Sequence, residues 1–246
     1  MAVLVTRPHP DNEATERLLR ARGHDVVLAP MLRLEPMAYP DADDITNYGA
    51  VIVTSANALR AIEGQLAGSH LLKLPLFAVG EHTASVARRL GFAEVISADG
   101  DAAALRERVL ASVRTRQLKK KSPLLYLAGA ELARDLAGEL GTHGFDVVTR
   151  TTYRMLALSG LPQQARDAFA ANRIEAVLHY SQRSARAFLD AVRADGVEIT
   201  ALAVPQCCIS SSVASSLREA GATQVLVASS PDENALFTAL ERALRS

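Results

Sequence analysis

The sequence repeats itself at a spacing of 121 to 131 residues, and this repetition constrains the fold more than any other feature of the chain. Matched positions occur in four segments that keep their order. The matched pairs are Val3 with Leu124 and Gly23 with Gly144 in the first segment, Ser55 with Ser181 in the second, residues 77–91 with 207–221 in the third, and Asp101 with Asp232 in the fourth. Such regular spacing indicates an internal duplication of a unit of about 120 residues.

Each copy alternates short apolar runs with polar turns and helical patterns. Residues 50–53 form an all-apolar run, and residues 77–79 form another that a polar turn follows at once. All-apolar strands are typical of parallel sheets that helices cover on both faces. The sequence therefore predicts an α/β protein with two flavodoxin-like parallel-sheet domains from the internal duplication. If the two domains face each other, the turns at the ends of their strands line a cleft between them.

Several local patterns give more detailed expectations. Asp11 or Asn12 is expected to cap the first helix, because both side chains accept hydrogen bonds from free backbone N–H groups. Residues 131–140 are expected to form a helix and residues 147–148 a strand. Residues 30–40 contain three prolines, which favours an irregular linker.

Charge and composition exclude several classes of function. The 246 residues include 27 Lys and Arg against 27 Asp and Glu, so no overall field attracts nucleic acid or a membrane surface. No apolar run reaches the roughly 18 residues of a membrane span, and the N-terminus lacks the pattern of a signal peptide. We therefore expect a cytoplasmic protein that binds neither nucleic acid nor membrane.

Motifs for nucleotide, metal or nucleophilic chemistry are missing from the sequence. There is no Walker-type phosphate loop, no GxGxxG, no HExxH and no nucleophile elbow. The six histidines lack the spacing of metal ligands, and the only cysteines, Cys207 and Cys208, are interpreted as buried strand residues. The sequence therefore offers no metal site and no strong nucleophile.

Polar residues follow the predicted strands, where ligands of parallel α/β sheets bind. Gly80 is expected to permit a positive φ or a close backbone approach. The candidate ligand-binding residues are Thr6, Arg7, Ser55, Asn57, Gly80, Thr83, Arg150, Ser181, Arg183, Ser211 and Ser212. Helix starts and arginines favour anions, so the set indicates a site for carboxylates or phosphates. For each hydroxyl helix capping is the alternative, and for each arginine it is a solvated surface position.

The order of several short motifs resembles the uroporphyrinogen-III synthase family over nearly the whole chain. The motifs are residues 3–8, 53–58, 79–84, 151–154 and 230–231 with the helix that follows. Tyr153 lies where that family usually has a tyrosine in its cleft. Residues 209–214 depart from the family pattern, because Ser210 replaces a glycine and Val213 a threonine.

The resemblance implies an organisation of the chain. Residues 1–34 together with 156–246 would form one discontinuous α/β domain, and residues 38–150 the other. The crossovers between the domains would lie at 30–40 and 150–158. A monomer is expected from the family.

The resemblance also implies a reaction without metal or cofactor. The family cyclises hydroxymethylbilane, a linear tetrapyrrole with many carboxylates, to uroporphyrinogen III with loss of water and inversion of ring D. Tyr153 is the candidate catalytic residue, assisting departure of the hydroxyl, and a tyrosine packed at an interdomain hinge is the alternative. Arginines and backbone N–H groups would hold the acetate and propionate arms.

Two other functions are weighed against this one. A non-catalytic two-domain sensor for a small anionic ligand would use the same turns. A two-domain enzyme like a glycosyltransferase would need a glycine loop for a nucleotide diphosphate and a pair of carboxylates, and the sequence has neither.

Overall fold

The computed structural model describes residues 1–38, 48–115, 117–119, 121–132 and 134–245. The chain divides into two compact units, which we call unit 1 (Met1–Arg33 with Leu156–Ser246) and unit 2 (Leu34–Met155). Residues 39–47, which the expected crossover 30–40 enters and the expected domain 38–150 includes, lie outside the described residues.

Strands and helices alternate along most of the chain. The strands are β1 (Ala2–Val5), β2 (Asp25–Leu28), β3 (Leu32–Pro36), β4 (Ala50–Val53), β5 (Pro75–Ala78), β6 (Glu94–Ser97), β7 (Leu124–Gly129), β8 (Val147–Ala157), β9 (Ile174–His179), β10 (Gln206–Cys208) and β11 (Val225–Val227). The helices are α1 (Asp11–Ala21), α2 (Ala56–Ala61), α3 (Glu63–Leu66), α4 (Glu81–Arg89), α5 (Ala102–Arg114), α6 (Leu136–Thr142), α7 (Gln163–Ala170), α8 (Gln182–Ala194), α9 (Glu198–Ala203), α10 (Ser211–Glu219) and α11 (Glu233–Ala243).

Two sheets carry these elements, and their topology confirms the predicted parallel α/β class. The first has the order β11-β10-β9-β1-β2, and the second the order β3-β8-β7-β4-β5-β6. Neighbouring strands from β11 to β2 pair in parallel, and so do those from β8 to β6. Counted along the chain, the strands of the first sheet stand in the order 2-1-3-4-5, which is the flavodoxin-like order. If the strands of the second sheet are numbered 1 to 5 as β7, β8, β4, β5 and β6, they also stand in the order 2-1-3-4-5. Strand β3 is added at the edge of this sheet, beside β8.

The strands at the centre of each sheet are apolar on both faces and completely covered. All residues of β1 and β4 are buried. In unit 1, α11 packs Leu236, Phe237 and Leu240 against one face, and α8 and α10 cover the other around Cys208 and Val213. Burial raises the pKa of both adjacent cysteines to about 12, which agrees with their interpretation as buried strand residues.

Three local expectations were wrong for identifiable reasons. Helix α1 begins at Asp11 itself, and no side chain caps it, since Asn12 is turned into the interior. Helix α6 begins at Leu136 rather than at residue 131, because Asp135 accepts a hydrogen bond from the N–H of Gly138 and starts the helix there. The strand expected at 147–148 extends to Ala157.

The proline-containing segment is also more regular than expected. Residues 32–36 form strand β3, which lies beside β8 in the second sheet. The N–H of Met37 donates to Thr152 O at 2.8 Å, and the N–H of Leu158 donates to Met31 O at 3.0 Å. Pro30 lies just outside the strand and Pro36 at its end. At these positions the missing N–H of proline removes least from the hydrogen bonding of the sheet.

No helix among the described residues is both long and apolar enough to cross a membrane.

Candidate active site

In unit 1 the strands β1, β9 and β10 end side by side. Val5 pairs with Leu178, which in turn pairs with Cys207, all in parallel register. The turns after these strands therefore lie together, and we call this region edge 1. The predicted residues that it brings together are Thr6, Arg7, Ser181, Arg183, Ser211 and Ser212.

Thr6 holds the end of β1 against β9. Its side chain is completely buried, and both its backbone N–H and its Oγ1 donate to Leu178 O, at 3.2 and 2.9 Å. The hydroxyl of Thr6 thus has a partner within the protein, and the two hydrogen bonds fix the backbone of edge 1 where β1 ends.

A buried histidine lies beneath the same edge. Gln206 donates through Nε2 to Ala201 O and Val204 O, so its Oε1 faces His179 and accepts from Nε2 of the ring at 2.9 Å. The ring packs edge-on against Phe188 with centroids 5.2 Å apart. Burial lowers the pKa of His179 to about 4, against the opposing effect of the Gln206 hydrogen bond. His179 is therefore neutral near pH 7.

Arg7 is held by several partners at edge 1. Its Nη1 donates to Glu233 Oε1 at 3.1 Å and to Thr15 Oγ1 at 3.3 Å. Its guanidinium carbon lies 4.7 Å from the centre of the Tyr180 ring, a cation–π distance. Glu233 Oε1 also accepts from Thr15 Oγ1 at 2.5 Å and from Tyr180 OH at 2.8 Å. Burial first, and then the charge of Glu233, raise the pKa of Tyr180 far above its ordinary value, so the phenol remains a donor.

The remaining predicted residues of edge 1 lie at two helix starts. Ser181 caps α8, because its Oγ accepts from the N–H of Ser184 at 3.1 Å, and Arg183 is exposed in the first turn of that helix. Ser211 and Ser212 are exposed at the start of α10, whose first N–H groups receive no side-chain cap. Ser212 Oγ lies 3.0 Å from Ser210 Oγ.

In unit 2 the corresponding region, edge 2, follows β4, β5, β7 and β8. Val53 pairs with Ala78 on one side and with Leu127 on the other, and Leu127 pairs with Arg150. The predicted residues of unit 2 are Ser55, Asn57, Gly80, Thr83, Arg150 and Tyr153. The first four lie in the turns after β4 and β5 or at the helix starts that follow, and the last two lie in β8 itself.

Ser55 and Asn57 organise the start of α2. Ser55 Oγ accepts from the N–H of Asn57 at 3.2 Å and so caps the helix. Asn57 Oδ1 accepts from Arg60 Nη1 at 2.9 Å. The capping role that was the alternative for Ser55 is thus present in the structure.

Gly80 precedes α4, and its conformation corrects an expectation. Its φ is −162°, which is extended backbone open to any residue, so a positive φ was a wrong prediction. A Cβ built on Gly80 would meet no atom of the described residues within 4 Å. Helix α4 starts without a side-chain cap, like α10, and Thr83 is buried in its first turn.

Tyr153 lies against the end of β7. Its backbone pairs with Gly129, where the register of β7 and β8 shifts. A Cβ on Gly129 would stand 2.8 Å from Cζ and 3.0 Å from the hydroxyl oxygen of Tyr153. The tyrosine ring therefore occupies the space that the glycine leaves free. Arg150 precedes Tyr153 by three residues and is half-buried.

A second tyrosine lies deeper at edge 2. Tyr126 OH and Thr54 Oγ1 are 3.0 Å apart, and Tyr126 is almost completely buried. Burial raises the pKa of Tyr126, with an opposing effect of the Thr54 hydrogen bond and a small raising effect of Tyr153. The phenol of Tyr126 therefore stays protonated.

Four residues of the two edges were not predicted from the sequence to belong there, namely Thr15, Asn12, Glu233 and Tyr126. Glu233 follows the capping residue Asp232, so in the sequence it looks like an ordinary acid of a first helical turn. One signal was available, because the position that matches Glu233 in the other copy is Ala102, at the same offset of 131 that relates Asp101 and Asp232. A charged residue at only one of the two matched positions indicates that Glu233 has a role specific to its own site.

The residues that the structure describes contain no group of three or more His, Cys, Asp or Glu that could hold a metal ion.

A protein-family model matches residues 13–238 of the chain. The matching family model is described as HEM4, uroporphyrinogen-III synthase HemD. Comparison of the sequence with curated proteins finds no match.

Solved structures share the fold along the whole chain. A uroporphyrinogen-III synthetase from Helicobacter pylori matches with a TM-score of 0.64 and 20% identity, covering 99% of this chain and 98% of its own. A mutant uroporphyrinogen III synthase from the extremely thermophilic bacterium Thermus thermophilus matches with a TM-score of 0.57 and 15% identity, covering 100% and 99%. At these identities the similarity establishes the fold.

Proposed function

Because the chain belongs to the uroporphyrinogen-III synthase family, we propose that it cyclises hydroxymethylbilane to uroporphyrinogen III, with inversion of ring D and loss of water. The family match over residues 13–238 is the observation that carries this assignment. The family consists of cyclising lyases of tetrapyrrole and heme biosynthesis, so a non-catalytic sensor is not favoured.

The reaction requires little covalent chemistry from the protein itself. The C–O bond of the hydroxymethyl group breaks, the oxygen leaves as water after taking a proton, and positive charge spreads over the pyrrole that remains. Ring D then attacks through its substituted carbon, which gives a spiro intermediate because that carbon carries no proton. The bond from this carbon to the methylene bridge of ring C breaks, the bridge rejoins ring D at its unsubstituted α-carbon, and loss of the proton from that carbon restores the aromatic ring. Holding the chain in the reactive shape can supply much of the rate.

Tyr153 is our candidate for the proton donor. Its hydroxyl lies at the end of β7 beside Gly129, on a strand rather than on a mobile loop. The phenol of Tyr126 is bonded to Thr54 and almost completely buried, whereas Tyr153 is only half-buried.

The carboxylate arms would be bound by helix starts and arginines that follow the parallel strands. Helices α4 and α10 each begin without a side-chain cap, so their first N–H groups and the positive ends of their dipoles are available for an anion. Gly80, Thr83, Ser211 and Ser212 belong to these starts. Ser55, Asn57 and Ser181 would act partly through capping, and Arg150 and Arg183 would provide charge.

Thr6 and Arg7 receive other roles in this proposal. Thr6 positions the turn after β1 through its two bonds to Leu178 O. Arg7 already contacts Glu233, and its Nη2 lies 3.7 Å from Asp11 Oδ2, so a substrate carboxylate would have to compete with two carboxylates of the protein.

We further propose that the protein acts as a monomer in the cytoplasm on this small-molecule substrate alone. Light scattering after size exclusion, with and without substrate, should give the mass of one chain. A stable dimer would contradict the proposal of a monomer.

The function is tested by an assay with hydroxymethylbilane made enzymatically in the same reaction. The porphyrinogens are oxidised, and the type I and type III isomers are separated by chromatography. We expect the type III fraction to rise with protein concentration and heat-denatured protein to yield type I alone. Type I alone with native protein would overturn the function and leave the sensor alternative standing.

A further inference from the structure

Edge 1 contains a polar cluster that the fold itself does not require. It consists of Arg7, Thr15, Tyr180 and Glu233, which come from the turn after β1, from α1, from the turn after β9 and from the start of α11. Three donors converge on one oxygen, Glu233 Oε1, at 3.1, 2.5 and 2.8 Å. We call this set the Glu233 cluster.

The other copy of the repeat shows what the same positions look like without the cluster. The positions that match Arg7, Thr15, Tyr180 and Glu233 are Ala128, Leu136, Thr54 and Ala102. Ala128 and Leu136 belong to one apolar core cluster of unit 2, together with Leu105. A sheet of the same strand order is thus built there with apolar residues. Since apolar replacements of buried ion pairs are often neutral or stabilising, stability alone does not account for the charges of the Glu233 cluster.

The charges of the cluster favour a donor rather than a carboxylate as its ligand. Arg7 and Glu233 carry opposite charges, and Asp11, which lies next to the cluster with its Oδ2 3.7 Å from Arg7 Nη2, brings a second carboxylate to the same guanidinium. Arg7 and Glu233 side chains are 23% and 27% exposed, so the cluster is partly open to solvent. A carboxylate arm would meet two carboxylates of the protein there, while an N–H group would meet acceptors.

An independent observation points to the same kind of ligand. Asn12 is 3% exposed, and its Oδ1 has no hydrogen-bond donor among the described residues. Asn12 and Thr15 stand three residues apart on the buried face of α1, and side chains at this spacing are neighbours. An unpaired buried acceptor destabilises the fold. Asn12 therefore adds an unused buried acceptor on the face of α1 from which Thr15 reaches Glu233.

We propose that the Glu233 cluster and Asn12 form a subsite for the pyrrole N–H groups of the substrate, where the carboxylate of Glu233 stabilises the positive charge that appears when the hydroxyl leaves. This inference rests on the proposed function. As the C–O bond breaks, its electron pair goes to oxygen, which departs as water, and the pyrrole nitrogen gives electron density to the exocyclic carbon. The N–H becomes a stronger donor at that moment, so a fixed carboxylate next to it lowers the barrier. Tyr180, Thr15 and Arg7 fix that carboxylate.

Glu233→Gln tests the charge while keeping the shape of the side chain. The amide oxygen can still accept from the three donors, but the negative charge is lost. We expect kcat for uroporphyrinogen III to fall by about tenfold or more, with KM unchanged or lower because the substrate is a polyanion. Glu241→Gln is the matched control, since Glu241 lies on the same helix and pairs with Arg22 at 3.2 Å, away from the cluster. It should keep wild-type kinetics.

Asn12→Leu tests the unused acceptor with two readouts of opposite direction. Removal of a buried oxygen without a partner should raise the melting temperature, and loss of a substrate contact should lower kcat/KM.

The proposal is overturned if Glu233→Gln keeps kcat within about twofold, or if it raises KM with kcat retained, which would mean that Glu233 only orients Arg7 for a carboxylate arm. Asn12→Leu with full activity would also overturn it. Wild-type protein and Glu241→Gln in the same assay report on the proposed function itself, so its failure appears as absence of type III product in every sample.

Discussion

Tyr153 is the residue on which the proposed chemistry depends most directly. Tyr153→Phe removes only the hydroxyl, which stands 3.0 Å from where a Cβ on Gly129 would be. If the phenol donates the proton, kcat should fall by about 10²-fold or more, in the range typical of a general acid. Thermal unfolding should change little. Full activity of Tyr153→Phe would contradict the acid role and leave a tyrosine that only packs against β7.

Tyr126→Phe is the matched control for that experiment. It makes the same chemical change to a buried phenol whose partner is Thr54 Oγ1 at 3.0 Å. Loss of this hydrogen bond should cost about 1 kcal/mol of stability, without a comparable loss of kcat. Gly129→Ala provides an independent test, because its Cβ would stand 2.8 Å from Cζ of Tyr153 and push the ring aside. It should reduce activity as Tyr153→Phe does, and the two changes together should be far from additive.

His179 makes the stability of unit 1 depend on pH. Its pKa in the folded state is about 4, whereas an exposed histidine in the unfolded chain titrates near 6.5. The unfolded state therefore binds more protons between these values, and the contribution is complete above about pH 6.5 and is lost as pH falls towards 4. The full effect is on the order of 3 kcal/mol.

Urea unfolding of wild type and His179→Gln at several pH values between 4 and 7.5 measures this contribution. The difference in unfolding free energy between the two proteins isolates the histidine, because the carboxylates titrate in both. Wild type should lose stability relative to His179→Gln as pH falls through this window. Parallel curves for the two proteins would show that His179 does not titrate in this range.

Single residues were predictable from the sequence where their role is local. Ser55 and Ser181 lie directly before helices and cap them, since a cap depends on residues two or three positions away. Glu233 could not be placed beside Arg7 in the same way, because the two are separated by 226 positions along the chain. Asn12 was misread for a related reason, since only the packing of α1 decides that its side chain faces the interior.

Among the elements, the helices that follow matched strands differ in how they begin. Helices α2 and α8 are capped by serine, and α5 and α11 by aspartate. Helices α4 and α10, which follow Gly80 and Ser210, have no side-chain cap, and neither has α1, which follows Pro10. In α4 and α10 the first N–H groups come directly after the ends of β5 and β10, so they remain for a ligand at the strand ends.

Gly80→Ala tests whether the substrate approaches the start of α4. The backbone is extended there, and the added methyl meets none of the described protein atoms within 4 Å. Stability should therefore stay the same or rise by about 0.4–1 kcal/mol through the unfolded state. If a carboxylate arm binds these N–H groups, the methyl obstructs it, and KM should rise by about tenfold.

Gly64→Ala serves as the control for that variant, because its Cβ also meets no described atom within 4 Å and it lies in α3 of the same unit. It should leave KM as in wild type. Unchanged KM in Gly80→Ala as well would remove α4 from the substrate site.

Elements were predictable where hydrophobic pattern and turn chemistry agree. The apolar runs at residues 50–53 and 77–79 correspond to β4 and β5 within two residues, because strands covered on both faces leave a continuous apolar signal. Strand β3 was missed, because its prolines suggested a linker and its pairing with β8 is decided by residues more than 100 positions away. The start of α6 was placed too early, because the capping role of Asp135 was not recognised.

At the scale of the whole molecule, each sheet draws strands from both copies of the sequence repeat. The first sheet combines β1 and β2 with β9, β10 and β11, and the second combines β7 and β8 with β4, β5 and β6. The sequence predicted the class of both sheets, since parallel α/β folds follow from alternating elements. Which strands share a sheet is a matter of long-range pairing, and the offsets of the repeat alone do not determine it.

This arrangement makes a prediction about which parts of the chain fold alone. Residues 32–157 contain every strand of the second sheet with its parallel pairs from β8 to β6. A fragment with this span should unfold cooperatively in urea, because its core lies within one continuous stretch. Residues 1–121, one copy of the repeat, should not do so, since β1 would lack β9 and β4 would lack β7.

Circular dichroism and urea titration of the two fragments, which are of similar length, make the comparison. A cooperative transition in the fragment 1–121, or none in 32–157, would show that the strand pairing of the two sheets does not define the folding units.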